Sequence, residues 1–318
     1  MQVPKYSVIV PVYNRPLEVA ELLESLCQQT TKNFEVILVE DGSSITSQRI
    51  YETYANKLSI KYFFKQNSGP GPSRNFGFEK ARGEYFVLFD SDCVIPPHYF
   101  AAVDKFLATQ SVDAWGGPDR GREDFSSLQQ AMGFTMSSFW TTGGIRGGKK
   151  ENFQPRSFNM GIHMKVFEQT GGFSFERFAE DIELSIRIRK LGLKTALIPE
   201  AFVFHKRRST LKQFFNQVSN FGKGRILVGR GHPGEVKLMH WVPAFFLLGL
   251  IALPFTLLIS YRLFFVGFGG YLAYLLMIAF DSFRVTKSIC VSVLSIPSAI
   301  VQLTGYGYGF LKELFYIR

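Results

Sequence analysis

The sequence is poor in cysteine. Its 318 residues hold three, Cys27, Cys93 and Cys290. With no C-x-x-C pair and no even-numbered framework, they exclude a disulfide-built fold and fit a reducing compartment. The opening residues, Met1-Gln2-Val3-Pro4-Lys5, lack a signal-peptide core and cleavage site, so the soluble part is expected in the cytoplasm. No Walker lysine pattern follows Asn67-Ser68-Gly69-Pro70-Gly71, which makes a phosphate loop of that type unexpected. Acid is nearly missing between His205 and Lys237. Glu235 stands alone there among Lys206, Arg207, Arg208, Lys212, Lys223, Arg225, Arg230 and Lys237, and this stretch supplies most of the net charge of +10. No base-stacking aromatics or known module accompany it, so nucleic acid is not expected as a partner.

Charge of either sign almost vanishes from Leu238 onward. Residues 238–261 and 263–280, parted only by Arg262, are each long enough, or nearly so, to span a hydrocarbon core. The basic stretch just before them marks the cytoplasmic side and attracts anionic lipid or pyrophosphate. Residues 289–310 make a poorer span, because Ser292, Ser295, Pro297, Gln302 and the glycines of Gly305-Tyr306-Gly307-Tyr308-Gly309 interrupt it. Basic residues flank it on both sides, Arg284 and Lys287 before, Lys312 and Arg318 after. It is therefore read as interfacial or re-entrant on the cytoplasmic face. The expected organisation is a soluble domain over 1–237 and a membrane region over 238–318. Nothing in the sequence sets an oligomeric state.

The soluble part alternates apolar β-rich runs with helical stretches. Strands are expected over 7–12, 35–39, 60–64 and 85–89, with helices near 14–29, 48–56 and 76–80 between them. Such alternation gives an α/β fold with a mostly parallel, buried sheet and right-handed crossovers. Later residues read as helices over 97–110, 164–170 and 180–191, with short strands near 113–117 and 196–204. Residues 141–150 read as a loop.

In a parallel sheet the strand ends converge on one edge, where open α/β sheets bind ligands. Tyr13 and Asn14 follow the first strand, Asp41 ends the second, and Asp90-Ser91-Asp92 follows the fourth. Two carboxylates one residue apart suit Mg²⁺ or Mn²⁺ held with a phosphorylated substrate. Tyr13 can stack on a nucleobase, and Asp41 can accept from a base or ribose. Glu180-Asp181 opens a further helix. Taken singly, Asp41-Gly42-Ser43 is also a generic turn, and Glu180-Asp181 an ordinary acidic first turn.

Val8-Ile9-Val10-Pro11-Val12-Tyr13-Asn14, Val39-Glu40-Asp41-Gly42-Ser43, Arg74-Asn75, Asp90-Ser91-Asp92 and Glu180-Asp181 stand in an order and at separations that resemble the family 2 glycosyltransferases of GT-A fold. The resemblance covers about residues 5–230. It implies an inverting, metal-dependent enzyme using a nucleotide-sugar donor. Under it Asp92 binds the metal, and Asp90 helps through the ribose or a metal-bound water. Asp41 holds the base in a pocket shaped by Pro11 and Tyr13, with Asn14, Arg74 and Asn75 on the donor side. Asp181 is the general base and Glu180 the weaker candidate. His205 is a third metal ligand, a diphosphate contact or a structural histidine. Residues 157–161, with Asn159, resemble a stretch that closes over donor and acceptor. Trp140 and Arg146, within 134–150, belong to a lid or acceptor-side wall.

The Gln-x-x-Arg-Trp of processive members is absent near 213–225, so transfer of a single sugar to a lipid-linked or cell-envelope glycan acceptor at the membrane fits better. Two other readings remain: a nucleotidyltransferase, although no Gly-rich basic loop follows Val12, and a non-catalytic membrane-tethered nucleotide-sugar binder, although its carboxylates are intact.

Overall fold

The computed structural model describes residues 3–121, 125–143, 153–206 and 208–316. In chain order the elements begin with β1 (Tyr6–Val12), α1 (Pro16–Cys27), β2 (Phe34–Asp41), α2 (Gln48–Tyr54), β3 (Ile60–Lys65), α3 (Pro70–Lys80) and β4 (Tyr85–Phe89). They continue with β5 (Cys93–Val94), α4 (Tyr99–Leu107), β6 (Ala114–Gly116), β7 (Asp119–Arg120), α5 (Ser127–Ser137), α6 (Phe139–Thr142), β8 (Asn159–His163) and α7 (Met164–Thr170). The chain closes with α8 (Glu180–Lys190), β9 (Thr195–Leu197), β10 (Val203–His205), α9 (Leu211–Gly231), α10 (Val242–Ala252), α11 (Tyr261–Thr286) and α12 (Ile289–Leu314). It divides into two compact units.

The first unit, Met1–Arg120 with Gly148–Lys206, holds a seven-stranded sheet in the order β3-β2-β1-β4-β8-β6-β9. Every pairing is parallel except those of β8, which runs antiparallel to β4 and β6. The strand period of two sorts β1 into two cores. Tyr6, Val8, Val10 and Val12 pack with Leu22, Leu23 and Leu26 of α1, Phe100 of α4 and Trp115. Ile9 packs on the other face with Ile37, Phe78, Leu88, Leu184 and Ile188. β5, β10 and β7 form a second, three-stranded sheet. α3 begins six residues before the expected 76–80 helix. Pro70 sits at its first turn, where a missing N–H costs nothing.

The second unit, Gly121–Gly147 with Arg207–Arg318, is helical. α9 and α5 therefore group with the apolar tail, whereas the sequence places the boundary after residue 237. Among the described residues, three helical stretches here are long and apolar enough to cross a membrane: Leu238–Leu258, Tyr261–Thr286 and Ile289–Leu314. The segment expected over 289–310 to be interfacial or re-entrant lies within one continuous helix. Its serines do not break it, because Ser295 and Ser298 donate back to the Ser292 and Leu294 carbonyls at 2.6 and 2.8 Å, and Ser292 donates to Ala279 O at 2.5 Å. α12 is also covered differently. Protein buries 44% of its apolar window, against 11% and 6% for the other two. It packs most closely on α9, and also on α5, α10 and α11. A Cβ on Gly309 would stand 1.9 Å from Ser219 O, and one on Gly222 2.1 Å from Tyr306 O.

Candidate active site

β1 lies between β2 and β4, all three parallel, so the chain leaves Val12, Asp41 and Phe89 at one edge of the sheet. The strand order reverses at β1, which makes this edge a topological switch point. After Phe89 the chain turns, Cys93 N–H donating to Asp90 O at 3.1 Å. β5 then pairs with β10 so that Cys93 faces His205. That register brings His205 Nε2 to 3.1 Å from Asp92 Oδ1, and the Phe158 ring stacks on the imidazole. Arg15, the residue before α1, donates from Nη1 to Asp92 Oδ2.

A carboxylate oxygen of Asp92, a ring nitrogen of His205 and the Cys93 sulfur lie within 4.8 Å of one another. Burial, and then the Asp92 and Asp90 charges, push the Cys93 thiol well above its ordinary range. It stays protonated and donates to Phe158 O. Asp92 and His205 are left, a carboxylate and an imidazole, and this donor set fits Mn²⁺ or Mg²⁺ once diphosphate oxygens complete the shell.

Asp90, expected to share that ion, has a different partner. Its Oδ1 accepts from Arg74 Nη2 at 2.8 Å, and Arg74 Nη1 donates to Glu180 Oε1 at 2.9 Å. Arg74 is 2% exposed and lies over the Phe173 ring. Burial works against its charge, but the two carboxylates outweigh it and hold Arg74 ionised. Burial pushes Glu180 up to about 7. Arg74 opposes that rise and neighbouring Asp181 adds to it. Asp181 is the more open of the pair, its side chain 18% exposed against 10%, with Arg156 Nη1 at 3.8 Å.

Two loops bring these elements together. Gly71 N–H donates to Glu176 O at 3.0 Å, and a Cβ at Gly71 would stand 2.1 Å from Phe175 O. Asn75 pairs both ways with Phe173, donating from Nδ2 and accepting at Oδ1, each at 2.8 Å. Arg177 reaches Asn67. Asn75, expected on the donor side, is thus a clamp between α3 and the approach to α8.

Asp41 is also committed within the protein. It is buried, and its carboxylate accepts from Lys65 Nζ and from the N–H groups of Ser68 and Gly69 at 2.9 and 2.8 Å. Burial raises its pKa, but these donors outweigh burial and hold it below the usual carboxylate range. Asn14, at φ 55°, accepts from Ile45 N–H at 2.9 Å and Ser44 Oγ at 3.1 Å, tying the β1 and β2 loops. Pro11 lies opposite Val39 within the sheet, and Tyr13 is 54% exposed at its edge.

Asn159, expected beside the acceptor, is fully buried. Tyr99 OH donates to its Oδ1 at 2.7 Å, and its Nδ2 donates to Ala201 O at 2.8 Å, so the amide is spent on packing β8 into the sheet. Trp140 lies on α6 in the helical unit, 46% exposed, and its carbonyl accepts from Tyr274 OH at 2.7 Å. Arg146 lies outside the described residues. The sequence reading missed Arg15 and Arg156. Arg15 follows Asn14 at the ligand edge and was legible there; Arg156 carries no motif.

Residues 7–171, just over half of the chain, match the family Glycosyl transferase family 2. The putative glycosyltransferase EpsH of Bacillus subtilis is 43% identical over 100 residues, 31% of this chain and 29% of that protein. The Staphylococcus aureus poly(ribitol-phosphate) beta-N-acetylglucosaminyltransferase TarS is 44% identical over 92 residues, 28% of this chain and 16% of that one. The shared segment thus spans under a third of either relative. Among solved structures, the mannosyltransferase PcManGT from Pyrobaculum calidifontis, in complex with GDP-Man and Mn²⁺, matches at a TM-score of 0.65 with 19% identity, covering 96% of this chain and 88% of that one. S. aureus TarS 1–349 with UDP-GlcNAc matches at 0.51 and 19%, covering 92% and 90%. The fold is thus GT-A. The chain belongs to glycosyl transferase family 2.

Proposed function

We propose that this enzyme transfers a sugar, with inversion, from a nucleotide-diphospho-sugar to a hydroxyl of a lipid-linked or cell-envelope glycan acceptor at the cytoplasmic membrane face. The pairing of Asp92 with His205 carries the reading. These two would hold the divalent ion, which when bound offsets the charge developing on the leaving nucleoside diphosphate. Tyr13, exposed at the edge, would stack on the base. Asp181 would take the proton from the acceptor hydroxyl as that oxygen attacks the anomeric carbon from the face opposite the diphosphate. A titration near 7 would also suit Glu180 as base, but its Oε1 is occupied by Arg74 and it is 8% exposed. Accessibility therefore favours Asp181.

In this reading residues 1–237 contain the chemistry and 238–318 the membrane attachment. Leu238–Leu258 and Tyr261–Thr286 cross the bilayer as a hairpin. α12 lies at the cytoplasmic interface, because it packs along α9, which carries Lys223, Arg225 and Arg230, and its Glu313 pairs with Arg230 at 2.7 Å. A helix as basic as α9 does not enter hydrocarbon without heavy cost. An envelope acceptor is supported by the similarity to TarS. The test is hydrolysis and transfer by detergent-solubilised protein over a panel of UDP-, GDP- and dTDP-sugars. One donor turned over by the wild type and not by Asp92→Ala is expected; a panel left wholly intact would refute the reading.

A further inference from the structure

Asp92 is held from two sides. Arg15 Nη1 donates to its Oδ2, while His205 Nε2 stands 3.1 Å from Oδ1. The Asp92 side chain is 8% exposed and that of Arg15 32%. The pair bridges the switch point of the sheet, Arg15 coming from the β1–α1 connection and Asp92 from the turn after β4. Pro16, the first residue of α1, fixes the backbone next to Arg15, so the freedom of this contact lies in the long side chain. A guanidinium and a divalent cation compete for the charge of the same carboxylate and repel one another.

We propose that Arg15 is the resident counter-ion of Asp92 in the donor-free enzyme. It yields Asp92 to the metal only when a nucleoside diphosphate arrives with it, and then turns its guanidinium onto the diphosphate oxygens. This rests on the reading of Asp92 as the metal carboxylate. A metal ion alone must break a charge-assisted hydrogen bond and leave the displaced guanidinium without a partner. A metal with its diphosphate brings oxygens that fit the planar fork. Metal and nucleotide affinities are then coupled, each raising the other by the same factor.

The test is Mn²⁺ binding to the full-length, detergent-solubilised protein, read as free Mn²⁺ by electron paramagnetic resonance. Mn²⁺ is titrated alone, with UDP and with GDP. Wild type is expected to bind Mn²⁺ weakly alone and roughly tenfold or more tightly with the nucleotide that fits. Arg15→Gln should bind Mn²⁺ alone roughly tenfold more tightly than wild type does, with the gain from nucleotide shrinking to match. Arg15→Lys, which keeps the charge, should restore most of the wild-type difference. Equal Mn²⁺ affinity of wild type and Arg15→Gln without nucleotide overturns the proposal. If Asp92→Ala binds Mn²⁺ with nucleotide as well as wild type does, the metal role of Asp92 itself fails and takes the proposal with it.

Discussion

Arg74 Nη1 and Glu180 Oε1 lie 2.9 Å apart across 106 residues of sequence, and the other arm of the same guanidinium holds Asp90. One buried cation thus joins the turn that carries Asp92 to the helix that carries Asp181. The two acidic neighbours on α8 are thereby unequal, Glu180 bound to Arg74 and Asp181 more open to an acceptor.

That inequality is tested first in turnover. Asp181→Asn should leave nucleotide binding nearly intact and lower kcat by roughly two or more orders of magnitude, the scale of a lost general base. Glu180→Gln keeps a hydrogen-bond acceptor for Arg74 and should cost far less. A dead Glu180→Gln beside a working Asp181→Asn would reverse the assignment.

Arg74→Met removes the cation from two carboxylates, one of them nearly buried. Breaking a buried pair by deleting one partner costs about 3–5 kcal/mol, which should appear as a clear drop in the thermal midpoint. Glu180 then has less reason to ionise, so the loss should be smaller at acid pH than at neutral pH.

Glu180 also makes stability depend on pH. Its carboxyl titrates at about 7 in the folded chain against 4.5 ordinarily. The folded protein keeps a proton that the unfolded chain has already released. This contribution is full below about pH 4.5 and is lost as pH rises through about 7. Thermal midpoints of Glu180→Gln should therefore fall less than those of the wild type between those two pH values. Parallel curves would show that Glu180 does not titrate there.

Metal dependence follows from Asp92 and His205. EDTA should abolish transfer, and Mn²⁺ or Mg²⁺ should restore it. Asp92→Ala should be at least as damaging as Asp90→Ala, because Asp92 faces His205 while Asp90 faces Arg74. Full activity in excess chelator would remove the metal from the mechanism.

The placement of α12 is open to labelling. Lys287→Cys and Tyr316→Cys, in a background with the native cysteines replaced by alanine, flank the helix and are both exposed. An interfacial α12 leaves both protected from impermeant reagent outside intact cells. Labelling of one from outside and the other only from inside would make α12 a third span.

Strands β1 to β4 were legible because their runs are apolar, bounded and spaced by helices; 85–89 matches β4 residue for residue. The carboxylates at the sheet edge were legible for the same reason, since strand ends fix where they emerge. β8 was not, because Asn159-Met160-Gly161-Ile162-His163 has no β-rich run and owes its place to β4 and β6 on either side. The partners of Asn75 and Asn159 were not legible because sequence shows an amide but not what it is already bonded to. The Arg74 bridge joins residues too far apart for any local pattern to reveal.

α8 follows Ala179, which stands at φ 58° and supplies no side-chain cap. Its start is registered by Arg74, by the Gly71 N–H on Glu176 O and by the Asn67 side chain on Arg177. Exchange of segments between relatives is constrained accordingly. A chimera that imports residues 173–190 alone carries both acidic residues but leaves behind the partners that aim them. Only a graft that moves residues 67–80 together with 173–190 carries Glu180 and its Arg74 partner over as a unit.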